Sequence, residues 1–261
     1  MDDTSRNQSK LVGSTRTVEL FSLTDGSITE KDVERMVDMS VKAFEGARDK
    51  DGDISHSALF GNNWSIAPSY FRHIIVVGLY ADAVYGIRSK ESKEIVAVGI
   101  WFGPNQRPDL TEEFKRKVGL YDFLDQLEAK FREWYTSSIS KLIQERETFF
   151  TDDVCVLFSV ACAANLVPDS LFFKERSRRW WCIHLCTDPE YHGQGLARSI
   201  IDYIHEKAQR TTHGGFVALA AAVEVNVHKY RTLGFRERGA VESPIPDSDK
   251  TIEMHILSRG A

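Results

Sequence analysis

Two glycines that follow a short apolar segment form the most informative stretch of this sequence. Gly193 and Gly195 separate residues 182–187, which have the character of a buried strand, from a segment beginning at Leu196 with apolar residues at helical spacing. Glycine allows the backbone to approach a ligand closely, and the first turn of a helix presents N–H groups that lack an intrahelical partner. The positive end of the helix dipole lies behind those groups. The pattern therefore predicts a site for a phosphate group.

Three other interpretations of the glycine turn can be compared with the residues. The turn could serve only to reverse the chain between a strand and a helix. A dinucleotide-binding fingerprint needs a third small residue where Arg198 stands, and a P-loop needs a Gly-Lys-Ser/Thr ending that is absent. The last two interpretations do not fit, and simple chain reversal stays open.

The turn resembles motif A of the GNAT acetyltransferase superfamily, which reads Arg/Gln-x-x-Gly-x-Gly/Ala. The corresponding residues are His192-Gly-Gln-Gly195-Leu-Ala197. His192 replaces the Arg or Gln of the pattern, which affects a side-chain contact to a pyrophosphate and leaves the backbone cradle intact. Further along, Asn226, Tyr230 and the pair Gly234-Phe235 are similar to motif B of the same family. The two motifs have the family's order and spacing, and the resemblance covers about residues 84–257.

The resemblance implies an α/β fold with a GNAT-like mixed, mostly antiparallel sheet flanked by helices. It also implies transfer of an acetyl group from acetyl-CoA (coenzyme A) to a primary amine of a small molecule or peptide. Such a reaction needs a cradle for the phosphates, a polarised thioester carbonyl, a base for the incoming ammonium and an acid for the departing thiolate. The cofactor-binding residues that the resemblance implies lie in the strand, the turn and motif B: Leu185, Cys186, Thr187, His192, Gly193, Gln194, Gly195, Leu196, Ala197 and Asn226.

Two residues are candidates for proton transfer. Motif B implies that Tyr230 is the general acid, and a phenol with an ordinary pKa of about 10 is protonated at neutral pH. Many family members carry a Glu as base on the strand before motif A, but Trp181 occupies that position here. His184 on the same strand has a suitable ordinary pKa and is our candidate base, with a water relay from a more distant group as the alternative. Packing roles stay open for both residues, and the missing Glu keeps a second hypothesis, a weakly catalytic CoA-binding regulatory or scaffold module.

The composition is that of a globular protein. The chain has 261 residues, 42% of them hydrophobic and 27% charged, with a formal net charge of −5 and no Lys/Arg-rich run. These values argue against nucleic acid or an anionic membrane as the main partner. The spacing of the four cysteines indicates neither a metal site nor a disulfide framework, and no apolar run is long enough to cross a membrane. We therefore predict a cytoplasmic monomer or homodimer.

The remaining pattern predicts a polar, disordered leader at residues 1–14 and one GNAT-like domain at 15–261. Strands are expected at 17–23, 84–89, 94–102, 182–187, 216–221, 235–241 and 251–257, and helices at 29–44, 70–83, 196–208 and 225–233. Residues 111–148 predict two helices, broken near Gly119, within a helical insertion at about 105–150. This insertion could be a lid over the acceptor side or a packing extension. An acidic loop at 49–55 lacks the Gly and Glu of a calcium-binding loop, so no metal site is predicted.

Overall fold

The computed structural model describes residues 17–23, 25–48, 52–104, 106, 111–150 and 177–260. The predicted leader, Cys155, Cys162 and the segment 153–164, which the sequence pattern did not assign to an element, lie outside these residues.

Seven described strands form one mixed sheet in the order β1-β2-β3-β4-β5-β7-β6. Only β4 and β5 run parallel, and every other neighbouring pair is antiparallel. The predicted mixed, mostly antiparallel sheet is therefore confirmed. The strands are β1 (Glu19–Phe21), β2 (Val84–Arg88), β3 (Ile95–Phe102), β4 (Arg179–Thr187), β5 (Phe216–Ala221), β6 (Arg236–Pro244) and β7 (Thr251–Arg259).

Helices flank both faces of this sheet. In the described part of the chain they are α1 (Glu30–Glu45), α2 (Ala67–Tyr80), α3 (Glu112–Lys117), α4 (Leu120–Leu124), α5 (Ala129–Thr148), α6 (Leu196–Thr211) and α7 (Glu224–Thr232). The start of α1 follows from its sequence, because Thr29 and Asp32 form a capping box in which each side chain accepts a hydrogen bond from the other's backbone N–H. In the part of the chain that the structure describes, no helix combines the length and apolar character needed to span a bilayer.

Three apolar clusters hold the helices to the sheet. The largest packs α1 and α2 against one face, and a second packs α6 against the other. A third lies between α5 and the β5, β6 and β7 strands, and includes Leu142, Phe216 and Ile256. The central strands β3 and β4 thus lie between two helical layers, which explains their nearly continuous apolar sequence.

The helical insertion differs from the prediction in one respect, because the structure forms three helices there instead of two. The predicted break is present at Gly119, which adopts the left-handed conformation with φ of +74°. A second break follows α4, where Leu127 is buried and Glu128 is extended before α5 begins. The first strand is also shorter than predicted, because it is limited to Glu19–Phe21, where Phe21 is buried and Leu20 is 41% exposed.

Candidate active site

A one-residue bulge in β4 determines which way the candidate site residues face. Ile100 of β3 lies opposite His184, but the next residue, Trp101, lies opposite Cys182, so Ile183 is an extra residue on β4. Before the bulge, Cys182 packs into the cluster on the α6 side. After the bulge, Cys186 packs into the α1 and α2 cluster. Because adjacent strand residues alternate between faces, the extra residue turns His184 and Cys186 toward α1.

The bulge also marks the point where β4 and β5 separate. The two strands pair only from Arg179 to Cys182, after which β4 continues with β3 and β5 continues with β7. The N–H of Asp188 donates to the carbonyl of Val96 at 3.0 Å. Because hydrogen-bonded pairs alternate along an antiparallel ladder, Cys186 also bonds with β3, whereas the backbone groups of Leu185 and Thr187 point into the gap left by β5.

The gap therefore distinguishes among the predicted cofactor residues of β4. Leu185 presents an unpaired backbone N–H and carbonyl to it, as a ligand with amide groups requires, whereas Thr187 presents only its N–H because its carbonyl oxygen lies 3.0 Å from Nε2 of His192. Cys186 does not, since its backbone belongs to the β3 ladder and its thiol lies 3.5 Å from the hydroxyl of Ser40. Burial raises the pKa of the Cys186 thiol to about 12, so this cysteine stays a neutral packing residue.

The end of β4 is anchored by Asp188. Its buried carboxylate accepts a hydrogen bond from the N–H of Glu190 at 2.9 Å and forms an ion pair with Arg35 of α1. Burial alone would raise the pKa of Asp188, but the Glu190 N–H and the Arg35 guanidinium together lower it. The carboxylate thus stays ionised and fixes the turn that begins the glycine segment.

The glycine turn has the geometry of a phosphate cradle. Gly193 and Gly195 have φ of +77° and +74°, and a Cβ added at Gly193 would meet no atom within 4 Å. The N–H of Ser199 bonds to the carbonyl of Gly195 at 3.0 Å, so the N–H groups before it start the helix without intrahelical acceptors. Residues 192–195 are exposed. Backbone donors, open space and a helix N-terminus together fit the pyrophosphate of coenzyme A.

His192 has a local role in this turn. Its Nε2 lies 3.0 Å from the carbonyl oxygen of Thr187, and a carbonyl can only accept, so the ring donates. The side chain of His192, which replaces the Arg or Gln of motif A, is thus held by the end of β4.

A cavity of about 310 Å³ lies beside the gap between β4 and β5. It brings together four of the predicted site residues, namely His184, Leu185, Asn226 and Tyr230. The turn residues 192–197 are not among those that line it. The predicted site therefore consists of two parts, an exposed turn and a partly open cavity, and between them lies the segment of β4 that does not pair with β5.

Tyr230 extends from α7 into this cavity, with its ring edge-on to Phe235 at a centroid distance of 5.6 Å. Burial, together with the nearby Cys182 thiol, raises the pKa of Tyr230 above its ordinary value. The phenol consequently stays protonated through the neutral range and is able to donate a proton.

His184 lies on the other side of the cavity, between aromatic rings. Phe44 stacks on its imidazole at a centroid distance of 5.3 Å, and Phe71 packs against it at 5.6 Å. Burial, and secondarily the neighbouring His56, lower the pKa of His184 to about 3. The imidazole is therefore neutral at pH 7, and this environment disfavours proton uptake from an ammonium group. The assignment of His184 as the base stays a prediction, and the apolar surroundings of the ring argue against it.

The rest of the cavity is apolar and includes residues that the sequence alone did not indicate. The contributors from α1, α2 and the segment between them include Phe44, His56, Tyr70 and Phe71, and α5 contributes Leu142, Ile143 and Arg146. The Arg146 guanidinium lies over the Trp181 ring at 4.0 Å. In the sequence, Phe44 lies on the apolar stripe of α1, which predicts burial and not a place in a cavity. The α5 helix both lines the cavity and packs on the sheet, so the two hypotheses for the insertion are not exclusive.

Comparison with known proteins agrees with this architecture. Residues 152–237 match the family model described as an acetyltransferase (GNAT) domain. Arylalkylamine N-acetyltransferase 2 from Aedes aegypti superposes with a TM-score of 0.51 at 11% identity, covering 93% of this chain and 97% of that one. A structure described as histone acetyltransferase HPA2 and related acetyltransferase from Corynebacterium glutamicum has a TM-score of 0.45 at 17% identity, covering 94% and 95% of the two chains.

The ribosomal-protein-S18-alanine N-acetyltransferase from Escherichia coli has a TM-score of 0.42 at 10% identity, covering 94% of this chain and 93% of that one. A search of curated protein sequences found no match. The class of protein is thereby defined: it is an acyltransferase of the N-acetyltransferase type. The match of residues 152–237 to the acetyltransferase (GNAT) domain model supports a place for this domain in the GNAT superfamily.

Proposed function

We propose that this protein transfers an acetyl group from acetyl-CoA to the primary amine of a small, largely apolar molecule. The observation that carries this proposal is the gap between β4 and β5, which has a phosphate-binding turn at one end and a cavity containing Tyr230 at the other. An extended ligand with a phosphate group at one end and a reactive group at the other would fit a turn, a gap and a cavity placed in this order.

The cofactor would be held by backbone groups along its length. Gln194 to Ala197 would bind the pyrophosphate. Leu185 would offer its N–H and carbonyl to the pantetheine arm, and Thr187 would offer its N–H. Acetyl-CoA supplies the acetyl group as an activated thioester. Tyr230 would donate its phenolic proton to the sulfur as the thiol leaves, which its raised pKa permits throughout the neutral range.

The acceptor class is suggested by the charges in the cavity. Among the described residues that line it there is no Asp, Glu or Lys, and Arg146 is the one permanent cation. Arg146 forms an ion pair with Glu147 at 3.2 Å, and a polyamine or a Lys-rich peptide would lose hydration in the cavity without gaining a carboxylate partner from its lining. A monoamine with an apolar or aromatic body would instead bury that body against Phe71, Ile143 and Trp181.

The second hypothesis, a CoA-binding module with weak catalysis, rests on the missing Glu and on the low pKa of His184. It predicts cofactor binding without release of free thiol when an amine is added. The cytoplasmic location and the monomer or homodimer state stay predictions from the sequence.

Substitution of Gly193 by Ala tests the cofactor site, with Gly26→Ala as a matched control. Both glycines have left-handed φ, +77° and +73°, and an added Cβ meets nothing within 4 Å at either position. Both variants should therefore lose a similar stability of about 1–2 kcal/mol. Only Gly193→Ala should weaken acetyl-CoA binding in calorimetric titration, because its new methyl group occupies the space that a phosphate would enter. Equal affinity in the two variants would contradict the proposed site.

A further inference from the structure

The hydroxyl of Ser40 lies at the centre of a small buried polar cluster. Ser40 is on α1 with no exposed surface, and its Oγ is 2.7 Å from the carbonyl oxygen of Met36 and 2.9 Å from Nε2 of His184. The thiol of Cys186 lies 3.5 Å away. Burial of a hydroxyl is tolerated when its hydrogen bonds are satisfied, as they are here.

The direction of these hydrogen bonds follows from which atoms can donate a hydrogen and which can only accept one. A carbonyl oxygen can only accept, so the single hydroxyl hydrogen of Ser40 is donated to Met36. The Ser40 oxygen then has only lone pairs to offer to His184. The bond at 2.9 Å consequently requires a hydrogen on Nε2 of the imidazole.

This assignment fixes the chemistry of the other ring nitrogen. A neutral imidazole carries one hydrogen, and burial keeps His184 neutral at pH 7. With Nε2 protonated, Nδ1 carries a lone pair and acts as a hydrogen-bond acceptor. The ring is held between Phe44 and Phe71, and His184 is one of the residues that line the cavity.

We propose that Ser40 is a positioning residue, which holds His184 in the Nε2–H tautomer so that its Nδ1 accepts a hydrogen bond from the N–H of the acceptor amine. This inference rests on the proposed function. The role differs from that of a base, because the imidazole orients a neutral amine and takes up no proton. The low pKa of His184 suits this role, because a neutral imidazole does not repel a protonated amine.

The tautomer can be measured directly in the wild-type protein without cofactor or amine. Long-range ¹⁵N–¹H correlation spectra of protein labelled at histidine should show a protonated Nε2 and an unprotonated Nδ1 for His184, identified by the loss of its signals in His184→Gln. A spectrum with the hydrogen on Nδ1 would overturn the proposal, whatever the variants do.

Substitution of Ser40 tests the consequence for the reaction. In Ser40→Ala the tautomer preference should be lost, and KM for the amine should rise about 2- to 10-fold, as expected for one neutral hydrogen bond, while KM for acetyl-CoA stays unchanged. Ser137→Ala is the matched control, because the Ser137 hydroxyl on α5 makes the same type of helix bond, to the carbonyl of Glu133 at 2.8 Å, and is exposed. That control should match the wild type in both measurements.

Further outcomes separate this inference from the proposed function. A changed tautomer in Ser40→Ala with an unchanged KM for the amine would overturn the positioning role and leave acetyl transfer in place. No release of thiol by the wild type with any amine would overturn both. If Ser40→Ala does not fold, Ser40→Thr retains the hydroxyl, and wild-type values for its tautomer and KM would support the proposal. An altered tautomer in Ser40→Thr with an unchanged KM would contradict it.

Discussion

The hydroxyl of Tyr230 is the atom on which the catalytic proposal depends most. Tyr230→Phe keeps the ring that packs on Phe235 and removes only the proton donor. If the hydroxyl protonates the leaving thiolate, kcat should fall about 10- to 1000-fold, while affinity for acetyl-CoA changes little. Single-turnover acetyl transfer at saturating cofactor measures this step without product release. Equal rates in the two proteins would remove Tyr230 from the mechanism.

Histidines whose pKa is lowered by desolvation should make the stability of the protein depend on pH, and His56 and His184 have the lowest values. Burial lowers the pKa of His56 to about 4 and that of His184 to about 3, against an ordinary value of 6.5. Between these values the unfolded chain takes up protons that the folded protein does not, so the free energy of unfolding falls as the pH drops below 6.5 and is fully retained above it.

The variant His56→Gln should show a shallower decline than the wild type in urea denaturation at pH 7 and pH 5, because one of the histidines whose pKa is lowered by folding is gone. Parallel declines in the two proteins would show that His56 titrates alike in its folded and unfolded states.

At the residue scale, the sequence identified residues that could bind a cofactor or transfer a proton, but not the environment of their side chains. Gly193, Gly195 and Tyr230 were recognisable because backbone conformation and a motif position restrict them. The neutral state of His184 was not predictable, because it depends on Phe44 and Phe71 from helices more than a hundred positions away in the chain. Desolvation is a property of the assembled site and leaves no local pattern.

Among the elements, α5 both packs on the sheet and lines the cavity, and substitutions at two adjacent residues can distinguish these roles. Both Leu142 and Ile143 line the cavity, but Leu142 is 4% exposed and belongs to the apolar cluster against the sheet, whereas Ile143 is 41% exposed. Leu142→Ala should therefore cost about 2–5 kcal/mol of stability through a core cavity. Ile143→Ala should leave stability within about 0.5 kcal/mol and alter the preference among amines.

Denaturation curves and kcat/KM for a set of amines of increasing size measure the two effects. The same stability loss in both variants, with unchanged amine preference, would make α5 a packing extension alone.

Element positions were largely predictable, since the strands and helices of the sheet follow their apolar periodicity. The extra break after α4 was missed, because Leu127 continues the apolar stripe although Glu128 is extended. The bulge at Ile183 was also beyond the sequence pattern, as it is defined only by pairing with β3, which lies some eighty positions earlier. Register between distant strands is set by tertiary packing and not by local preference.

For the molecule as a whole, the two motifs predicted the fold class, and the seven-stranded sheet confirmed it. The same motifs implied where a cofactor binds but not what fills the acceptor cavity, because that surface is assembled from α1, α2, α5, β6 and β7. No single stretch of sequence encodes it. The acceptor class therefore had to be inferred from the charges and shapes that the fold brings together.

The bulge at Ile183 constrains how β4 pairs with β3, in addition to which residue types β4 can carry. One extra residue sets the side to which all later residues of the strand point. A pairing of β3 with β4 that kept every residue but lost the bulge would place Ile183 opposite Ile100 and exchange the faces of the later residues. Leu185 would then face α1, and His184 would face α6. Deletion of Ile183, in contrast, would make the pairing regular and leave His184 opposite Ile100, on its present face. Homologous chains that lack this one residue should therefore present the same side chains to the cavity.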